Sequence, residues 1–417
     1  MDIVKRRAEA VVLRSLKNFR VVMVHGARQS GKTTIARSVA VACGGEYVTL
    51  DAARERLAAT SDPETFLGQL GTPIVIDEIQ RVGEPLVLAV KLLVDHDPRP
   101  GRVLMTGSTN FLSVPTISET LAGRVDLVTL WPLAQSEIES TGGDFVDRMF
   151  AAPGGLTRIR SATPSRDDYL TRVCRGGFPE VQGMDASTRR RWFTRYVQTV
   201  IEREIRAVAD LRRGDVLARM ARLFAANTAQ EHVVSRIADG LGIDRPTADN
   251  YRAWLQTVFL IHLVPAWSRN VASKIVHRPK LHMVDTGLAA ALVGKDVASL
   301  RRPTDPMAGA LVETFAVAEI QKQLGWSELG PSLHHYRETN GIEVDIVLEA
   351  PDGRVCALEV KTTVAPRPAD AAGLATFRDR LDRVGSDFVQ GVVLHTGNRR
   401  FAMGDRIVAL PIADLWS

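Results

Sequence analysis

An apolar stretch, Phe19–Val24, leads directly into Gly26-Ala27-Arg28-Gln29-Ser30-Gly31-Lys32-Thr33-Thr34, and a helical pattern follows over Thr33–Ala42. No other feature of the chain restricts its fold as strongly, because strand, glycine turn and helix must succeed one another without slack. The spacing is G-x-x-x-x-G-K-[ST]. Gly26 and Gly31 let the main chain curl until its N–H groups face one point. The start of the following helix adds partial positive charge beneath that point. Such a cradle suits a phosphate chain. Lys32 is placed to reach β- and γ-phosphates, and Thr33 to offer its hydroxyl to Mg²⁺.

Three further apolar runs, Glu46–Leu50, Pro73–Ile76 and Arg102–Thr106, are bounded by turn residues and separated by helical patterns. This alternation predicts buried strands in a parallel sheet with helices on both faces. The run Pro73-Ile-Val-Ile ends in Asp77-Glu78, which puts two carboxylates at the carboxyl edge of the sheet, where ligands of open α/β folds bind. Asp77 is expected to hold Mg²⁺, and Glu78 to orient or deprotonate an attacking water. The strand Val103-Leu-Met ends in Thr106-Gly107-Ser108-Thr109-Asn110, where a polar group such as Ser108 could sense the γ-phosphate. Leu121-Ala-Gly123-Arg124 sets an arginine after a tight turn, available to stabilise transition-state charge in cis or in trans across a subunit boundary.

At 417 residues the chain is long enough for two or three domains. Apolar residues make up 45% and charged residues 24%, which excludes a mainly disordered polymer. No apolar run is long enough to span a membrane, and the basic, helically patterned N-terminus lacks the features of a secretory signal. The three cysteines are scattered without metal-ligand spacing, which fits a reducing cytoplasm. The pattern divides into 1–165, 166–300 and 301–417: an α/β unit, a helical middle, and a smaller α/β unit with β-type segments at His334–Arg337, Gly341–Glu349 and Val355–Lys361.

In the middle segment, residues 186–222 carry ten arginines against four acids, interleaved with Trp192, Phe193 and Tyr196. Arginines beside aromatics suit a nucleic-acid backbone with base stacking; a solvated helix that buries its aromatics has the same composition. Val233–Leu255 reads as a helix-turn-helix: Ile237, Ala238 and Leu241 pack the first helix, Gly242 permits the turn, and Pro246-Thr247 begins the second. Arg245, Thr247, Asn250 and Arg252 would then face a DNA groove, unless the pair is only a structural lid.

Taken together, the phosphate-loop string, Leu50-Asp51, Ile76-Asp-Glu-Ile-Gln80-Arg81, Thr106-Gly-Ser108, Leu121-Ala-Gly-Arg124, Arg175-Gly-Gly-Phe-Pro-Glu180 and Lys280-Leu-His-Met-Val-Asp285-Thr-Gly-Leu288 resemble prokaryotic AAA+-type ATPases. In these proteins the C-terminal part is a domain of unknown function with a restriction-endonuclease-like core. The resemblance implies a P-loop NTPase parallel sheet, a helical, winged-helix-like middle and a nuclease-like α/β C-terminal domain. It also implies ATP binding, hydrolysis and a divalent metal. Residues 26–34, with Asp77 and Ser108, form the expected nucleotide site.

Glu343-Val-Asp345 and Glu359-Val360-Lys361, with Glu313 on a preceding apolar helix, are similar to the PD-(D/E)XK nuclease-like fold. Period-two alternation puts Glu359 and Lys361 on one face of their strand. That resemblance implies Mg²⁺ or Mn²⁺ held by Asp345, Glu359 and the Val360 carbonyl, with Glu313 as a further ligand and Lys361 beside the attacking water. The expectation is a cytoplasmic ATPase acting on DNA, with metal-dependent cleavage left open. The alternative is a nucleotide-dependent switch for a protein partner on a non-catalytic nuclease-like scaffold. Either reading leaves room for a homo-oligomer, and neither involves a membrane.

Overall fold

Short runs of valine, isoleucine and methionine build five parallel strands in the amino-terminal part of the computed structural model, which describes residues 4–108, 120–151, 164–205, 214–268, 278–302, 304–338 and 341–417. The strands are β1 (Val21–His25), β2 (Glu46–Thr49), β3 (Ile74–Asp77), β4 (Val103–Gly107) and β5 (Val125–Thr129), arranged β2-β3-β4-β1-β5. The central strands β1, β3 and β4 are buried along their whole length because helices cover both faces. One face packs Met23, Ile74, Ile76, Val103 and Met105 against Leu86, Val87 and Val90 of the helix Glu84–His96. The other packs Val22, Val24, Val75 and Leu104 against Ile35, Ala36 and Val39 of the helix Lys32–Cys43, with Val12 and Leu16 of the helix Arg7–Leu16. Each fully buried aliphatic side chain contributes about 1.5–3 kcal/mol.

The four strands expected from the sequence are all present. The fifth, β5, was not anticipated. It is an edge strand with only Val128 fully buried, and its Asp126 is satisfied by the Ser15 hydroxyl at 2.5 Å. Thr109 and Asn110 lie outside the described residues, as do Arg206, Asp210, Arg212 and Arg213 of the arginine-rich segment.

The chain forms two compact units. The first comprises 1–133, 200–211 and 253–260, and the second 134–199, 212–252 and 261–417. The second holds two sheets. In the smaller, β6 (Gln230–Glu231), β7 (Ile261–Val264) and β8 (Lys280–Met283) run antiparallel in the order β6-β8-β7. The larger contains β9 (Ser332–Arg337), β10 (Glu343–Glu349), β11 (Val355–Lys361), β12 (Phe388–His395), β13 (Phe401–Ala402) and β14 (Ile407–Pro411), ordered β13-β14-β12-β11-β10-β9. Here β9, β10 and β11 are antiparallel, while β11, β12 and β14 are parallel. The helix Met307–Leu324 is buried around most of its circumference, and its one fully enclosed acid, Glu319, accepts from Gln135 N at 2.8 Å and Lys322 Nζ at 2.7 Å.

The helix-turn-helix helices form as expected. Val234–Leu241 buries Ile237, Ala238 and Leu241, Gly242 turns at φ 65°, and Arg245–Thr257 follows. Asp244 caps that second helix by accepting from Thr247 N at 2.8 Å. The helix Ala186–Thr199 places two of the three aromatics in the interior. Phe193 and Tyr196 are buried beside Phe178, and Trp192 stacks on Tyr196 at 5.0 Å. Phe193 and Tyr196 are therefore core residues and offer no face to a base.

Two strings that read as family signatures turn out to pack on each other. Arg175-Gly176-Gly177 passes beneath Asp285, whose carboxylate accepts from Gly177 N at 2.6 Å and from Leu288 N at 2.8 Å. A β-carbon on Gly176 would lie 2.3 Å from Asp285 Oδ1, and one on Gly287 would lie 2.8 Å from the Arg175 carbonyl carbon. Asp285 thus starts the helix Thr286–Leu292 and pins the glycine turn at once. Burial pushes its carboxyl pKa up, against the pull of those N–H donors.

Candidate functional site

Strand β1 ends at His25, and the chain then curls back on itself. A β-carbon at Gly26 would sit 2.2 Å from the Leu130 carbonyl oxygen, so only glycine fits there. Gly31, at φ 102°, turns the chain into the helix Lys32–Cys43. Lys32 is only 4% exposed, and its Nζ lies inside the curl, donating to the carbonyls of Gly26 at 3.0 Å and Ala27 at 2.9 Å. Ala27 and Ser30 are buried walls of the loop, Arg28 is half-buried, and Gln29 and Thr34 are exposed at its rim.

Asp77 ends β3 next to this loop. It accepts from Thr33 Oγ1 and Tyr47 Oη, each at 2.9 Å, and from Thr106 Oγ1 at 2.5 Å. Thr33 and Asp77 are hard oxygen donors already side by side, which fits Mg²⁺. Glu78 follows in a left-handed conformation at φ 62°, its N–H on Thr106 Oγ1 at 3.1 Å. The Gln80 amide donates to the Glu78 carboxylate and to Ser108 Oγ, the latter at 2.9 Å. Burial raises the Glu78 pKa above the ordinary carboxylate value, with nearby Lys32 opposing. A carboxylate raised in this way accepts a proton more readily. Arg81 pairs with Asp51 at 2.8 Å, both largely exposed, so that pair adds little stability.

The C-terminal cluster includes a residue that the sequence reading did not place there, Lys280. Glu313, Glu343 and Asp345 do converge, but on the ammonium of Lys280, at 2.6, 2.8 and 3.1 Å. Asp345 also accepts from Val360 N at 2.9 Å, and Lys361 donates to Glu359 at 2.7 Å. The other Glu359 oxygen is buried without a hydrogen-bond partner. Burial first, and Asp345 second, push the Glu359 pKa up to about 8. Burial likewise drives Glu313 well above the usual range. Of the residues expected to hold a metal, Glu313 and Asp345 face the Lys280 ammonium and Glu359 faces Lys361. A lysine stands among the carboxylates, and among the described residues no three His, Cys, Asp or Glu side chains form a metal-holding group.

Residues 18–139 match the family model described as an AAA domain. The first unit carries an AAA-type P-loop ATPase domain. Residues 166–301 and 308–415 match two models described only as domains of unknown function, DUF8612 and DUF4143. Uncharacterized proteins of Mycobacterium tuberculosis and Mycobacterium bovis are each 28% identical over 412 residues, 99% of this chain and 84% of theirs. A shikimate kinase of Mycobacterium ulcerans is 33% identical over 146 residues, 34% of this chain and 71% of that protein. A Walker-type ATPase of Pyrococcus abyssi superposes with a TM-score of 0.42 at 17% identity, covering 70% of this chain and 96% of that one.

Within the ATPase domain, Arg124 needs a correction. It immediately precedes β5, which pairs with β1 in parallel from Val21↔Val125 to His25↔Thr129. Arg124 therefore lies at the amino edge of the sheet, about 13 Å of strand away from the phosphate loop. It is also tied to Asp95 at 2.5 and 3.1 Å. It does not reach the loop of its own chain.

Three residues of the ATPase domain site were not anticipated. Tyr47 holds Asp77. His25 packs edge-on against Phe259 at 5.4 Å and bonds Thr129 Oγ1 at 2.9 Å. Its pKa is lowered to about 4, by burial first and Lys32 second, so it stays neutral. Arg6 is the third: buried, it donates to the Ser30 carbonyl at 2.5 Å and the Trp131 carbonyl at 2.7 Å, bracing the loop from behind. No local pattern marks Arg6, one of several cations in a basic helical stretch. Charged hydrogen bonds of this kind contribute about 1.5–3 kcal/mol. Arg6→Ala is expected to weaken nucleotide binding by about ten- to a hundredfold, measured by titration with a fluorescent ATP analogue. Unchanged affinity would remove Arg6 from the site.

Proposed function

We propose that the ATPase domain binds ATP with Mg²⁺, hydrolyses it, and uses the cycle to act on DNA. The observation that carries this reading is the set of groups at one sheet edge. A lysine lies within a main-chain cradle, a Thr33–Asp77 oxygen pair sits beside it, and Glu78, with its raised pKa, is on the adjoining turn. The loop N–H groups bind and orient the phosphates. Lys32 exchanges the Gly26 and Ala27 carbonyls for phosphate oxygens. Thr33 and Asp77 would hold Mg²⁺, which neutralises charge on the triphosphate. Glu78, kept in place by Gln80, takes the proton of the attacking water, and Ser108 orients groups at the γ-phosphate. Arg124 enters this scheme only across a boundary between two copies.

DNA is supported by the helix-turn-helix pair, with Arg245 and Asn250 exposed, and by exposed Arg190, Arg191, Arg195, Arg219 and Arg222. The burial of Phe193 and Tyr196 favours backbone contact over base stacking. The same burial supports the second reading, a nucleotide-dependent switch for a protein partner. Phosphate release measured with single-stranded, duplex and branched DNA separates the two. Stimulation by DNA that falls steeply with salt is expected, whereas a rate indifferent to DNA favours the protein partner. In the same assay Glu78→Gln should retain ATP binding within a few fold and lose turnover by about 100-fold or more. Full turnover in that variant would exclude Glu78 as the base.

A further inference from the structure

The C-terminal carboxylates raise a separate question: what balances their charge? We propose that the ammonium of Lys280 is the resident cation of this cluster, an internal ionic lock that stands where a divalent metal would otherwise sit. The side chain of Lys280 is only 2% exposed, and its Nζ is within 3.1 Å of Glu313, Glu343 and Asp345. These acids come from two elements, the helix Met307–Leu324 and strand β10, while Lys280 opens β8 of the other sheet.

The remaining bonds engage most of the other carboxylate oxygens of the cluster. The second Asp345 oxygen takes the Val360 N–H, Glu343 also faces Arg337 at 3.5 Å, and one Glu359 oxygen is held by Lys361 while the other has no hydrogen-bond partner. A hard divalent ion would need several of these oxygens at about 2.0–2.6 Å. The ammonium occupies the same small volume and repels a second cation there. A buried acid cluster without its cation carries a heavy desolvation cost, so the lysine is also what allows these carboxylates to be buried together. Lys280 lies in the segment matching one family model, and its partners lie in the segment matching the next. One side chain thus ties the two segments within the second unit.

The test is Mn²⁺ binding to the full, nucleotide-free chain, read by electron paramagnetic resonance. Wild type and Asp345→Asn should bind Mn²⁺ alike, within twofold. Lys280→Ala should gain a site at least tenfold tighter than any in wild type, and Lys280→Ala with Asp345→Asn should lose it. Wild-type Mn²⁺ binding that drops tenfold or more in Asp345→Asn would overturn the proposal. So would a folded Lys280→Ala variant with no new site. Should Lys280→Ala fail to fold, the comparison of wild type with Asp345→Asn decides alone.

Discussion

Lys32→Ala is expected to abolish measurable ATP turnover while leaving the chain folded. The ammonium is enclosed by the phosphate loop and rests on two of its carbonyls. Those carbonyls are what it would exchange for phosphate oxygens. Alanine leaves the curl without its central cation. Removing one preorganised donor at a site of developing charge costs about 100- to 1,000-fold in rate, and here ground-state binding weakens as well. Steady-state phosphate release should therefore fall by roughly that factor or more, with the melting midpoint checked by circular dichroism. Turnover close to wild type in a folded variant would end the phosphate-loop account.

The largest effect on stability is expected from Gly176→Ala in the second unit. The residue sits at φ 71° and ψ −172°, a conformation open essentially to glycine alone, where a β-carbon costs roughly 1–3 kcal/mol. The added carbon would also meet the Asp285 carboxylate at 2.3 Å. Moving that buried carboxylate away from its N–H donors costs about a further 1–3 kcal/mol. Gly294 provides the control: its φ is 69°, with nothing within 4 Å of an added β-carbon. Gly294→Ala should therefore lose less, having a positive φ but no such contact. Melting curves of the two variants should differ by several degrees, with Gly176→Ala the lower. Equal losses would show that the Asp285 contact contributes nothing.

The legible parts of this chain are those encoded locally. The phosphate loop, its flanking strand and helix, and the Asp77-Glu78 edge are each contiguous, so spacing alone places them. The helix-turn-helix was equally readable, because Gly242 and Pro246 mark its turn within a few residues. What escaped depends on distant partners. Arg6 finds Ser30 and Trp131, and Lys280 finds Glu313, Glu343 and Asp345, only after the chain has folded. Strand β5 escaped because a half-buried edge strand with an internal aspartate lacks the unbroken apolar run of its neighbours. The arginine and aromatic mixture was ambiguous by composition, and only the position of Phe178 assigns Phe193 and Tyr196 to the interior. The Arg175-Gly-Gly and Asp285-Thr-Gly strings stood out in sequence, yet their pairing could not be read without the fold.

The Thr106 hydroxyl donates to Asp77 and accepts from the Glu78 amide. It acts as a gear between the two acids. A shift of β4 along its axis would therefore reach Asp77 and Glu78 in one stroke.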